Sequence, residues 1–265
     1  MIIEHNQRWR DQRDSYRPSG EVINTRNYEV AYMPGDKEAK AFILRHHYSA
    51  SFPAARFRYG LYRGGELVGV SVFSVPAQPK CLDVAPGDRH EKVELGRFVL
   101  LDDVPANGES WFIARCFDRL RSGGITGVVS FSDPSERTNT RGEAVFGGHV
   151  GTIYQATNAT YLGTSKAETR RLLPDGTVIH GRALTKIRHR RQGAIYAAAI
   201  LERFGAVALR DDEDAVAWTA RWVKALTRPL RHPGNHKYVW ALNKRDRRHL
   251  PRGLAYPKKV CGVAA

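Results

Sequence analysis

Four short stretches hold most of the side chains able to do chemistry. His46-His47-Tyr48-Ser49 brings two imidazoles and a phenol together, and Arg97 stands as a lone cation in the run Leu95-Gly96-Arg97-Phe98-Val99. Ser132-Asp133-Pro134 sets a hydroxyl and a carboxylate at the end of another apolar run, and His149 opens a segment that carries Tyr154, Gln155 and Asn158. Imidazoles and carboxylates accept protons, whereas a guanidinium offers a planar fork to negative charge. Each group also has a plainer reading. Asp133 can be a turn residue before proline, Arg97 half of a buried ion pair with Glu94, the histidines a helix C-terminal pair favoured by the dipole, and the tyrosines ordinary core.

His46 or His47 could ligate a metal such as iron, but two adjacent residues of a helix do not face one ion, so at most one is expected in the site. His232 and His236 mimic zinc-ligand spacing, yet Pro233 and Gly234 between them make a loop the better reading. Cys81, Cys116 and Cys261 form no C-x-x-C pair and read as reduced structural thiols. No apolar run approaches the ~20 residues of a membrane span, and the first residues lack the apolar core of a secretory signal, so a cytoplasmic protein is expected.

Charge points to the partner. With 42 Lys plus Arg against 27 Asp plus Glu, the net charge of +15 draws the chain to polyanions. Two dense clusters suit phosphates: Lys186, Arg188, Arg190 and Arg191 in one, Lys244 and Arg245 in the other. No base-reading module accompanies them, so contacts to double-stranded DNA should depend little on sequence.

The elements that must position these residues are largely patterned. A strand is expected over 28–32, then a helix from 37 to about 45 that delivers the histidine pair. Strands over 58–63 and 67–73, joined at Gly64-Gly65, make a hairpin. Residues 92–100 alternate as a strand, and Asn107 or Ser110 can cap a helix with Phe112, Ile113, Cys116, Phe117 and Leu120 on one face, ended by Gly123-Gly124. Residues 125–131 read as a short strand, and 149–161 as a helix on which Tyr154, Asn158 and Tyr161 share a face. A hairpin about Pro174-Asp175-Gly176, a basic segment, helices near 193–204 and 214–226, and a strand over 236–242 follow. Residues 1–27 read as a loosely docked basic arm, and 244–265 as a basic tail.

Six stretches in order resemble the phage Mom family of DNA-modifying proteins: His46-His47-Tyr48-Ser49, Glu94-Leu95-Gly96-Arg97-Phe98, residues 105–110, Phe131-Ser132-Asp133-Pro134, residues 148–158, and Lys237-Tyr238-Val239-Trp240. The resemblance implies a mixed α/β, Gcn5-related acetyltransferase-like domain over 28–243. It also implies conversion of the adenine N6 amine to a carbamoylmethylated amine in phage DNA, which shields that DNA from host restriction. An adenine amine is a weak nucleophile, so the site needs a proton acceptor and a partner for developing negative charge. Asp133 is expected in the first role and Arg97 in the second, with Ser132, His47 and Tyr48 beside them. His46, His149, Tyr154, Gln155 and Asn158 are expected to contact the substrate.

Acetyltransferases cradle the cofactor pyrophosphate in an R/Q-x-x-G-x-G/A turn before the central helix. Pro105-Ala106-Asn107-Gly108-Glu109-Ser110 departs from that pattern, with one glycine and an acidic residue. An acyl-coenzyme A donor and a bound iron ion are the candidate cofactors. Two other readings compete: an acyl-coenzyme A dependent N-acyltransferase of a protein or small amine, and a noncatalytic DNA-binding protein.

Overall fold

A computed structural model describes residues 5–258, so Cys261 and the end of the basic tail lie outside the described residues. In chain order the elements are β1 (His5–Arg10), β2 (Arg13–Pro18), β3 (Tyr28–Tyr32), α1 (Asp36–His46), β4 (Ala55–Arg63), β5 (Glu66–Ser74), β6 (Lys92–Leu100), α2 (Gly108–Ser122) and β7 (Gly127–Ser132). They continue as β8 (Arg137–Thr138), β9 (Ala144–Phe146), α3 (Thr152–Ala156), β10 (Thr160–Thr164), β11 (Glu168–Leu172), β12 (Val178–Ile179), α4 (Gly181–Arg188), α5 (Ala194–Glu202), α6 (Ala215–Leu226), β13 (Arg228–His232) and β14 (His236–Ala241).

The chain divides into two compact units. The first holds residues up to 134, 149–165 and 235 onward, and the second 135–148 and 166–234. In the first, seven strands lie in the order β10-β14-β7-β6-β5-β4-β3. All neighbours are antiparallel except β6 and β7, which α2 joins as a parallel pair. This is a mixed α+β sheet, as expected from the sequence. The apolar face of α2, with Phe112, Ile113, Cys116 and Leu120 buried, packs with Val93, Leu95, Tyr238 and Trp240 in one core. Gly124 at φ +84° ends the helix, as a left-handed residue does. Burial pushes the Cys81 thiol up to about 11 and that of Cys116 higher still, as structural thiols require.

The arm expected to dock loosely is instead a hairpin. β1 and β2 pair from His5–Pro18 to Arg10–Arg13 around a two-residue turn in which Asp11 and Gln12 both have positive φ. Trp9 and Arg8 are buried. The helix expected over 149–161 shrinks to one turn, because Gly151 and Asn158 adopt left-handed φ at either end. Tyr161 consequently sits on β10 rather than on a helical face.

The second unit has its own core of Leu173, Ile179, Leu184, Ile187, Leu201 and Trp218. Its sheet is β12-β11-β13, with the expected turn at Pro174-Asp175-Gly176 joining the first two. The stretch read as a basic segment is α4, which buries Leu184 and Ile187 beneath its charges. Among the described residues no helix is long and apolar enough to cross a membrane.

Candidate active site between two parting strands

β6 and β7 pair only from Lys92–Gly127 to Leu95–Ser130, although both strands run further. The cause lies in β6. Val72 faces Arg97 while Phe73 faces Leu95, so Gly96 is an extra, bulged residue that bends the strand. A Cβ there would come within 2.5 Å of the Ser74 hydroxyl, which explains the glycine. Ser130 Oγ donates to the Leu95 carbonyl at 2.8 Å and closes the last pair. Beyond it a cavity of about 420 Å³ opens, with residues 96–100 and Phe131 in its walls.

Arg97 is held in that wall by neutral groups. Its Nε donates to the Ser51 carbonyl at 2.9 Å, one Nη to the Ser51 hydroxyl at 2.7 Å, and the other to the Gly96 carbonyl. Among the described residues no carboxylate lies within ion-pair distance, so the expected alternative of a structural pair with Glu94 is not formed; Glu94 acts on Arg97 only through space. Burial pushes the guanidinium down and the Glu94 carboxyl up, each costing its charged form.

From Arg97 a chain of hydrogen bonds reaches His47. Ser51 Oγ donates to Ser49 Oγ at 3.3 Å, and the Ser49 hydroxyl lies 2.9 Å from His47 Nδ1, which also accepts the Ser49 N–H at 3.1 Å. A backbone N–H can only donate, so Nδ1 is the acceptor and the neutral ring carries its proton on Nε2. Burial first, then the charges of Arg97 and His149, hold His47 well below the ordinary imidazole range.

An aromatic group faces the same space. Tyr48 stacks on His47 at 4.2 Å between centroids, and Trp9 of the hairpin packs on Tyr48 at 4.5 Å and edge-on to His149 at 5.5 Å. The Tyr48 hydroxyl lies 3.4 Å from His149 Nε2. His149 is positioned by its backbone N–H, which donates to the Asp133 carbonyl at 2.8 Å. Tyr154, whose phenol burial raises, completes the wall beside Trp240.

His47, Tyr48, Arg97, His149 and Tyr154 therefore line one cavity. The other expected site residues do not. Ser132 and Asp133 are buried and lie outside its lining. His46 points to the hairpin turn, its Nδ1 3.4 Å from Asp11 Oδ1 and its carbonyl accepting the Gln12 N–H. The Gln155 amide donates to the Val150 and Pro257 carbonyls, and Asn158 is an exposed left-handed turn residue. On the surface, Lys244 and Arg245 are exposed, as are Arg188 and Arg191, whereas Arg190 donates to the Arg210 and Glu213 carbonyls. The sequence reading missed Trp9 and Ser51. Their only local signal is a tryptophan among the N-terminal arginines and a serine two positions after Ser49.

The turn before α2 also lines the cavity, but it does not fit a pyrophosphate. Glu21 accepts the Ala106 N–H at 3.1 Å, and Asn107 Oδ1 accepts the Ile23 N–H at 2.6 Å. Arg8 lies against the same turn, bonded to Glu109 and to the Leu101, Val104 and Pro105 carbonyls. Two carboxylates at a helix N-terminus already serve the anion role. A metal fits no better, since among the described residues no three His, Cys, Asp or Glu side chains converge.

The methylcarbamoylase Mom of Escherichia phage Mu is 30% identical over 170 residues, covering 62% of this chain and 65% of that protein, so the chain spans just under two thirds of that relative. Among solved structures, an N-acetyltransferase from Staphylococcus aureus Mu50 superposes with a TM-score of 0.37 at 9% identity, covering 82% of this chain and 99% of the other. A tandem GNAT protein from the clavulanic acid biosynthesis pathway gives 0.42 at 8% identity, with the same coverage. The model of the Mom protein family matches residues 27–258, and the chain belongs to that family.

Proposed function

We propose that the chain is a transferase that attaches a carbamoylmethyl group to the N6 amine of adenine in double-stranded DNA. The observation that carries this reading is the convergence of His47, Tyr48, Arg97, His149 and Tyr154, from separate family-like stretches, on one cavity. A base inside a duplex is out of reach, so the adenine must be extruded into such a cavity, where aromatic walls replace its stacking. Trp9, Tyr48 and Tyr154 supply those walls.

In the reaction a bond forms between N6 and the donor's CH₂ carbon, the donor's bond to that carbon breaks with its electrons leaving on the departing group, and N6 loses a proton. His149, with the Tyr48 hydroxyl beside it, takes that proton; Asp133 acts through its carbonyl by holding His149. Arg97, which has no counter-ion of its own, meets negative charge on the donor or leaving group. The donor is a group that presents no pyrophosphate to the α2 turn, which argues against an acyl-coenzyme A enzyme of the usual kind. Lys186, Arg188, Arg191, Lys244 and Arg245 hold phosphates, and DNA as substrate sets the protein's work in the cytoplasm of the cell that makes it.

Mass spectrometry of nucleosides from plasmid DNA, isolated from cells expressing the chain, tests the proposal. A carbamoylmethylated deoxyadenosine is expected with the natural chain and absent with Arg97→Ala. Unmodified DNA from a folded, abundant natural chain overturns it.

A further inference from the structure

We infer that Ile195 and Tyr196 form a wedge that enters the base stack of double-stranded DNA, an inference that rests on the reading of the chain as a DNA-modifying protein. They are adjacent on the first turn of α5 and are 85% and 84% exposed, although the same helix buries Ala197, Ala198 and Leu201 in the core of its unit. Single exposed apolar residues are common on protein surfaces. Two large ones side by side, each almost wholly in water, are not accounted for by folding, since alanine would serve the helix better.

Charge identifies the occupant. The chain entering α5 is Arg188-His189-Arg190-Arg191-Gln192, and all five residues are exposed. Arg190 is fixed by the Arg210 and Glu213 carbonyls, which anchors the loop. Among the described residues no carboxylate pairs with Arg188 or Arg191, so their charges face solvent. An exposed apolar pair on the first turn of a helix, preceded in the chain by exposed arginines without a carboxylate partner, is complementary to a phosphate backbone around an apolar stack. Proteins that kink or open DNA insert Ile, Leu or Phe in this way, and Tyr can stack on the exposed base.

The test is a short duplex carrying 2-aminopurine, whose fluorescence rises on unstacking, in place of one adenine. The natural chain should raise the signal on binding. The double variant Ile195→Ala with Tyr196→Ala should keep its fold by circular dichroism, lose most of that rise, and bind perfectly paired DNA at least about tenfold more weakly, with a smaller loss on a duplex already opened by a mismatch. An unchanged fluorescence response and unchanged affinity overturn the wedge. So does an equal loss on paired and mismatched duplexes, or a natural dimer, seen by light scattering, that the double variant dissolves with DNA binding untouched. Unstacking by a natural chain that modifies no adenine would instead sink the proposed reaction and leave the wedge standing.

Discussion

Arg8 and Arg97 line the same cavity, and their surroundings treat them differently. The Arg8 guanidinium bonds to Glu109 and to three carbonyls, so both its donors and its charge are used within the chain. Arg97 also has its donors engaged, but by a hydroxyl and two carbonyls, so hydrogen bonds fix its direction while its charge has no counter-ion. A buried cation of the first kind is structure, whereas one of the second kind is set to meet charge brought by a ligand. Residue type and burial do not separate the two roles. The partners do.

The comparison breaks most sharply at Arg97. Arg97→Lys keeps the charge and loses the fork to Ser51, so adenine modification should fall by about 10²- to 10³-fold while the thermal melt stays near that of the natural chain. A folded lysine variant with full activity in the nucleoside assay would remove Arg97 from the chemistry. At Arg8 the expected loss is of stability. Arg8→Ala removes the partner of Glu109 Oε1, and since Oε2 has none, leaves the whole carboxylate buried and unpaired, which should cost about 3–5 kcal/mol in denaturant unfolding. Arg8→Met combined with Glu109→Leu removes both charges and should recover most of that loss. If Arg8→Ala unfolds at the same denaturant concentration as the natural chain, the pair is not structural.

Much of the scaffold is legible in the sequence because its signals are local. The alternating run 92–100, the Gly64-Gly65 turn and the apolar face of α2 specify β6, the β4–β5 hairpin and the central helix within three residues at every end. Arg97, His47, Tyr48, His149 and Tyr154, which line the cavity, are also readable as candidates, each being a polar or aromatic group at the end of a patterned element or inside one. What escapes depends on distant partners. Arg8 is satisfied by groups about a hundred residues away, so the arm shows no period of its own and reads as unstructured. Ser51 matters only because Arg97 folds against it. Asp133 is readable at a strand end, but its backbone carbonyl, not its side chain, is what meets His149, a contact sixteen residues along the chain that no local pattern encodes.

The relay that starts at Arg97 extends the contrast to an imidazole. His47 sits well below its ordinary value in the folded chain, so it stays neutral there, while the unfolded chain protonates near 6.5. The unfolded state then binds more protons below that pH, and stability is full above about pH 6.5 and lost as pH falls toward the folded value. The slope is at most about 1.4 kcal/mol per pH unit for this one group. His46 and His236 are shifted in the same direction by burial, but they remain in a His47→Gln variant and cancel in the difference. Unfolding free energies measured from pH 7 down to 5 should therefore fall less steeply for His47→Gln. Parallel curves would mean that His47 is not buried neutral.

The smallest expected effect carries the same contrast to the surface, where Arg190 and Arg191 are neighbours. Arg190 donates to two carbonyls and lies 3.9 Å from Asp211, so like Arg8 it belongs to the fold. Arg191 is exposed and, like Arg97, has no carboxylate partner among the described residues. Each phosphate neutralised releases condensed counter-ions, so the slope of log affinity against log salt shrinks by about 0.9 for every phosphate the protein no longer holds. Arg191→Ala should lower that slope by about one unit and leave the melt unchanged. Arg190→Ala should keep the slope and lower stability by no more than about 1 kcal/mol, because exposed arginine interactions are weak. Titrations of duplex DNA between roughly 50 and 200 mM salt resolve a one-unit change. If Arg190→Ala changes the slope and Arg191→Ala does not, the presence of a partner within the chain is not what separates structural from binding arginines in this protein, and the assignment of Arg97 loses its footing with it.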